Sequence, residues 1–264
     1  MANSFPAARM RPLDGAAELA AAAAMAAPAT RPEAVTAVLG ALLECVGDRP
    51  ATPEAVRELP CATREWLLQW TAARLNPDLR WFEARCRHCG EPFDLALDLA
   101  HPVCRVPDQS AADVAVVTSL GPRRFAVPTG EHEEKLARTG SGADARRDFA
   151  RLCGLSPQAG DDADRFDEHD LQLIDEALES ASPDIADTAA AQCPNCGAET
   201  ECRVDPLLFA FPREADILSE VHLIASTYGW DHDGILRLPA RHRAAYAAII
   251  TRERRTARPA PGRA

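Results

Sequence analysis

Four of the nine cysteines in this 264-residue chain form two matching knuckles, Cys86-Arg87-His88-Cys89-Gly90 and Cys193-Pro194-Asn195-Cys196-Gly197. A two-residue spacer lets both sulfurs of a knuckle reach one ion. The glycine permits the tight turn that aims backbone N–H groups at the sulfurs. Together the pairs supply four thiolates, the ligand set of a closed structural zinc site. The predicted ligands are therefore Cys86, Cys89, Cys193 and Cys196, and the predicted cofactor is structural Zn2+. The separation is unusual. A compact zinc ribbon leaves about 15–20 residues between its knuckles, whereas 103 residues lie between Cys89 and Cys193. His88 reads as a solvated spacer, and Cys202 as a core residue and not a fifth ligand.

Enzyme chemistry finds little support. Four thiolates leave no open position for a reactive water, so a hydrolytic zinc is not expected. His132-Glu133-Glu134-Lys135-Leu136 has Leu where a metalloprotease helix needs its second His. Gly140-Ser141-Gly142-Ala143-Asp144-Ala145 has dinucleotide-loop glycine spacing but follows a helix and not a strand, so it reads as a linker. Asp161-Asp162-Ala163-Asp164 lacks the Gly and Glu of a calcium loop and reads as a solvated acidic loop. No catalytic residue and no small-molecule substrate are assigned.

The net charge of −11 argues against general nucleic-acid binding, which needs surplus cations. The charge is uneven, since Pro239–Ala264 holds seven Arg against one Glu. That basic end and the helices before it leave an alternative open, a zinc-ribbon/helix-turn-helix nucleic-acid-binding regulator. An odd cysteine count with two Cys-x-x-Cys pairs points to a reducing cytoplasm, not a secreted disulfide framework. The Ala-rich stretch Gly15–Ala27 is broken by Glu18, and no run reaches the roughly 18 apolar residues of a membrane span.

The elements that must position the knuckles follow from pattern. Thr30-Arg31-Pro32-Glu33 predicts a capping box and an early Pro. Val35, Val38, Leu39, Leu42, Leu43 and Val46 then share one helical face, ended by Gly47. Thr52-Pro53-Glu54 starts a second helix, and a third runs to Leu75 with Trp66, Leu67 and Trp70 facing the core. After Cys89, Phe93, Leu95, Leu97 and Leu99 alternate with polar or small residues, which predicts a strand. Thr200, Cys202 and Val204 do the same after Cys196. Between the halves, Val114–Val117 and Arg124–Val127 flank a Gly-Pro turn as a hairpin, followed by helices near 128–138, 143–153 and 168–179. At the end, Ile217, Leu218, Val221, Ile224, Ala225 and Tyr228 form a helical stripe stopped by Gly229. Asp231 caps a short turn, and Pro239 opens a last helix with Tyr246, Ile249 and Ile250.

The expected fold class is α+β: mainly helical, with a split zinc ribbon, a small α/β insertion and a C-terminal helical hairpin. Residues 1–29 are expected to be an Ala-rich disordered arm and 30–80 an N-terminal helical segment. The ribbon comprises 81–104 and 186–205, around an insertion at 105–185. A C-terminal helical region covers 206–251, and 252–264 form a basic disordered tail.

Ser219-Glu220-Val221-His222-Leu223-Ile224-Ala225-Ser226-Thr227-Tyr228-Gly229-Trp230, followed by Ile235-Leu236-Arg237-Leu238-Pro239, resembles a known family. It is similar to the small baseplate hub assembly proteins of contractile-tail phages and to relatives encoded with extracellular contractile injection systems. The knuckle, the helix around Glu65, the Asp/Leu-alternating strand to Leu99 and Arg124-Phe125-Ala126-Val127-Pro128-Thr129 extend the resemblance over roughly residues 58–251. It implies a non-enzymatic baseplate component or assembly chaperone, cytoplasmic until built into or onto a particle, with other baseplate or tail proteins as partners. Glu220, His222, Tyr228 and Trp230 are the partner-binding candidates. Against this, Glu220 and His222 could pin their helix to the ribbon, and Trp230 could be a core anchor. The chain departs from the family at Gly234, where an acidic residue is usual, which implies a looser turn. The arm before Thr30 has no counterpart.

Overall fold

The computed structural model describes residues 5–75, 80–99, 104–105, 111–139, 145–155 and 157–257. Helix Arg31–Leu42 begins where expected, with the Glu33 carboxylate accepting from the Thr30 N–H (3.1 Å) and hydroxyl (3.0 Å). It ends sooner than the apolar spacing suggests. Leu43–Val46 is a strand, and Gly47, at φ +58°, turns the chain into Arg49–Pro50. Ala8–Met10 pairs with that strand and completes a three-stranded sheet. Leu42 and Leu43 are both fully buried, so apolar residues continue across the switch from helix to strand.

The Ala-rich segment is ordered, contrary to expectation. Asp14 caps helix Gly15–Ala26 by accepting from the Ala17 N–H at 2.9 Å. Ala21 and Ala22 are buried, because methyl side chains let the helix approach its neighbours closely. Helix Cys61–Leu75 buries Leu67, Leu68 and Ala72 in the same N-terminal core. Trp66 and Trp70 are only half-buried at its edge, where Phe5 stacks on Trp66 at 4.7 Å.

The insertion has its own core. Hairpin Asp113–Thr118/Gly121–Ala126 and helices Ala145–Cys153 and Glu168–Ala181 surround Phe125, Phe166, Leu171 and Ile174, while helix Gly130–Thr139 packs against helix Arg31–Leu42 of the N-terminal unit. The glycine-spaced run from Gly140 to Asp144 lies outside the described residues. The acidic run is not a solvated loop. Helix Pro157–Asp161 and the 3-10 turn Asp162–Arg165 fold it, with Ala163 fully buried and Asp162 paired to Arg123 (2.6 Å) and Arg165 (2.6 Å). At the neck of the insertion, Cys104–Arg105 pairs with Asp184–Ile185 and brings the chain back to the ribbon.

The third core joins helices Glu214–Tyr228, His232–Leu236 and Ala240–Ala257 through Ile217, Val221, Ile224, Ile235 and Ile250. Leu218 and Tyr228, expected on the buried stripe, are exposed. Gly229 closes the first helix in the left-handed region at φ +69°. The next turn is regular and not loose. Asp231 accepts from the Gly234 N–H at 2.8 Å, and a Cβ at 234 would stand 2.8 Å from Asp231 Oδ2. Arg252–Ala257 continues the last helix, which overturns the expectation of a disordered tail from 252; residues 258–264 lie outside the described residues. The result is an α+β fold of small antiparallel sheets among helices.

Candidate metal centre

Each knuckle is placed by its own hairpin. Arg80–Arg85 leads into Cys86 and pairs with Pro92–Leu97, so the Cys86 N–H donates to Glu91 O (3.1 Å) and the Gly90 N–H returns to Cys86 O (3.0 Å). Thr188–Gln192 and Glu199–Arg203 repeat the arrangement, with the Cys193 N–H on Ala198 O (2.9 Å) and the Gly197 N–H on Cys193 O (2.9 Å). Gly90 and Gly197 sit at φ +77° and +73°, a region strained for any residue with a Cβ.

The two knuckles meet across the insertion. The sulfurs of Cys86, Cys89, Cys193 and Cys196 all lie within 4.8 Å of one another. The contacts between knuckles are Cys86 Sγ–Cys196 Sγ at 3.8 Å and Cys89 Sγ–Cys193 Sγ at 3.7 Å. A tetrahedral ion with metal–sulfur bonds of about 2.3 Å has sulfur–sulfur edges of about 3.8 Å. The four thiols are thus spaced as ligands of one ion, and the sequence-predicted set is brought together in full.

Their electrostatics call for a cation. The Cys89 N–H, helped by the His88 N–H at 3.3 Å, pulls the Cys86 thiol down to about 6. Cys89 is also lowered, by the Glu91 N–H and then the Asn195 side chain. Although the Ala198 N–H pulls on Cys196, burial and three neighbouring sulfurs push it to about 11. One thiolate forms readily here and the last does not. A bound divalent cation removes that conflict by favouring the ionised form of all four.

Hydrogen bonds also join the knuckles. The Arg87 N–H donates to buried Thr200 Oγ1 at 3.1 Å, and His88 Nε2 lies 3.1 Å from Glu199 O. A carbonyl only accepts, so Nε2 carries the proton. His88 is therefore not an idle spacer but a tie between the halves. Cys202 is buried outside the sulfur cluster, as its strand position indicated.

The partner candidates are placed differently. Glu220 accepts from Arg243 Nε at 2.8 Å, and Arg243 also pairs with Glu18, so Glu220 ties its helix to the N-terminal helix and not to the ribbon. His222 is exposed. Trp230 is 42% exposed and therefore no core anchor; it packs with Tyr228 (5.3 Å) and Tyr246 (5.3 Å) as a surface aromatic cluster.

Sequence reading missed the buried charges that fix the ribbon's surroundings. Arg64 bonds Glu133, Thr36 and Pro32 O, while buried Glu134 bonds Thr36, Arg57 and Arg138. Among the described residues, no helix is long and apolar enough to cross a membrane. Comparison with protein-family models, curated proteins and solved structures gives no match.

Proposed function

We propose that this chain is a non-enzymatic assembly protein, a baseplate component or assembly chaperone of a phage-tail-like contractile particle, with one structural Zn2+ held by Cys86, Cys89, Cys193 and Cys196. The observation that supports the architectural role is the pairing of sulfurs from opposite knuckles at 3.7 and 3.8 Å. Both halves must be in place for either to be complete, so metal binding is also folding of the ribbon that brackets the insertion. All four ligands are thiolates, which suits zinc and leaves it no catalytic position. The particle assignment rests on the resemblance carried by Ser219–Pro239. Its partners are then other baseplate or tail proteins, met in the cytoplasm.

Two measurements test the reading. Metal analysis of native protein should give one zinc per chain, and Cys86→Ser and Cys193→Ser should each abolish tight binding. Two zincs, or none with the fold intact, would end the shared-site proposal. Purification from native cells should bring baseplate or tail proteins. Retention on DNA that falls steeply with salt, and is lost when residues 252–263 are deleted, would instead identify a nucleic-acid-binding regulator.

A further inference from the structure

Exposure divides the four cysteines of the metal centre in the same way in both knuckles. The second of each pair, Cys89 and Cys196, is exposed, while the first, Cys86 and Cys193, is only 3% and 1% exposed. The sulfur contacts then cross the site. Cys89 Sγ lies 3.7 Å from Cys193 Sγ, and Cys196 Sγ lies 3.8 Å from Cys86 Sγ. Each exposed cysteine therefore touches a buried one of the opposite knuckle. An accessible thiolate with a shielded thiol beside it is the arrangement that turns oxidation into disulfide formation.

Contacts other than a shared ion also hold the knuckles together. The Arg87 N–H donates to Thr200 Oγ1 at 3.1 Å, His88 Nε2 lies 3.1 Å from Glu199 O, and the Arg87 guanidinium meets Glu201 at 3.6 Å. The Asn195 side-chain amide reaches Cys89 Sγ at 3.7 Å. Every one of these joins one hairpin to the other, so the facing sulfurs keep their register without an ion. Closing such a contact to a disulfide of about 2.05 Å takes about 1.7 Å of movement, shared between two side chains.

We propose that peroxide converts this ribbon from a metal clasp into a covalent one, through the disulfides Cys89–Cys193 and Cys86–Cys196. This switch rests on the four-thiolate metal centre and stands apart from the contractile-particle assignment. The exposed Cys89 thiolate attacks the peroxide first. A sulfur–oxygen bond forms, the oxygen–oxygen bond breaks and hydroxide leaves, which gives a sulfenic acid. The Cys193 thiolate then attacks that sulfur, and a second hydroxide leaves as the disulfide forms. Cys196 and Cys86 repeat the sequence with a second peroxide. Four thiolates and two molecules of hydrogen peroxide thus give two disulfides and four hydroxides, each peroxide accepting two electrons. No thiolate remains to hold a metal ion, yet the two hairpins stay joined. The 103 residues between Cys89 and Cys193 become a covalently closed loop, and the insertion keeps its neck.

Full-length, zinc-loaded protein treated with hydrogen peroxide tests the switch, with metal release read by a chelating dye and disulfides by mass spectrometry after trypsin. Cleavage after Arg87 separates Cys86 from Cys89. The cross pairs should therefore tie three peptides together, whereas pairs within each knuckle would leave the Cys193–Cys196 peptide on its own. Metal release should keep step with disulfide formation, and dimedone should trap sulfenic acid at Cys89 and Cys196, not at Cys86 or Cys193. The melting temperature should fall with EDTA before oxidation and be unmoved by EDTA after it. Pairing within the knuckles would overturn the proposal. So would disulfides between chains, sulfinic acids without disulfides, or metal retained through the treatment. Untreated protein without metal would end the zinc reading instead; the disulfide map of that protein, reduced and then oxidised, still decides the cross pairing.

Discussion

Gly130 lies directly against the guanidinium of Arg64, with no space for a Cβ between them. Arg64 is fully buried in the N-terminal unit and donates to Glu133 (2.8 Å), Thr36 Oγ1 (2.7 Å) and Pro32 O (2.6 Å). Gly130 and Glu133 belong to a helix of the insertion. The insertion is thus fixed to its host by a buried cation seated on a glycine, and the ribbon closes around an oriented body.

Gly130→Ala should therefore destabilise the protein by about 1–3 kcal/mol through overpacking. Arg64→Ala should cost more, about 3 kcal/mol or above, because it strips Glu133 and Thr36 of their donor. Urea unfolding of both variants measures this. An unchanged midpoint for Gly130→Ala would mean that the close approach is not what ties the two units.

His88 supplies a second test. Its Nε2–H bond to Glu199 O crosses from one knuckle to the strand of the other. Removing it in His88→Ala should weaken metal binding about tenfold, at the low end for groups that orient ligands. Competition with a calibrated chelator reads the change. Unaltered affinity would mean that the sulfurs and the Arg87–Thr200 bond suffice.

The cysteine spacing and the alternating strands made the metal centre and its two hairpins legible, because each is a local pattern with a direct chemical reason. The ordered arm was not, since alanine reads equally as frayed helix or close-packed helix. Its decisive feature, Glu18 against Arg243, joins residues 225 positions apart. Yet a signal was present. Arg64 precedes Leu67, Leu68, Thr71 and Ala72 at helical spacing, and Arg243 precedes Tyr246 and Ile250 in the same way. A charge in the core register of a helix announces a buried partner, though not which one. The early end of helix Arg31–Leu42 was hidden for another reason: the strand that captures Leu43–Val46 comes from Ala8–Met10, far from the pattern it interrupts.

Acid should loosen the insertion through Asp162. Arg123, and after it Arg165, hold this carboxyl below its ordinary value of 3.8. A lowered carboxyl pKa contributes stability that is complete above the unfolded value and is lost as pH falls through the folded one. Wild-type thermal stability should thus drop below about pH 4. The gap between wild type and Asp162→Asn should be widest near neutrality and narrow in acid. Melting curves from pH 7 to about 2 test this; a gap that persists at the lowest pH would assign the effect to packing.

Glu18 carries the opposite sign. Burial outweighs its bond to Arg243 and raises its carboxyl above 4.5. The native state therefore holds that proton more tightly than the unfolded chain. The associated stability is present below the unfolded value and disappears as pH rises through the raised one. At neutral pH Glu18→Gln should consequently cost little, since it removes a carboxylate whose ionisation is already opposed. Arg243→Ala should cost about 3–5 kcal/mol, because it leaves Glu18 buried without its cation and frees Glu220. The loss should be local: hydrogen exchange should rise in Glu214–Tyr228 and Ala240–Ala257, while metal content matches that of the wild type. Equal damage from the two variants would show that the Glu18 charge holds the C-terminal helices in place. A larger effect of Arg243→Ala assigns that task to the arginine, which reaches both acids.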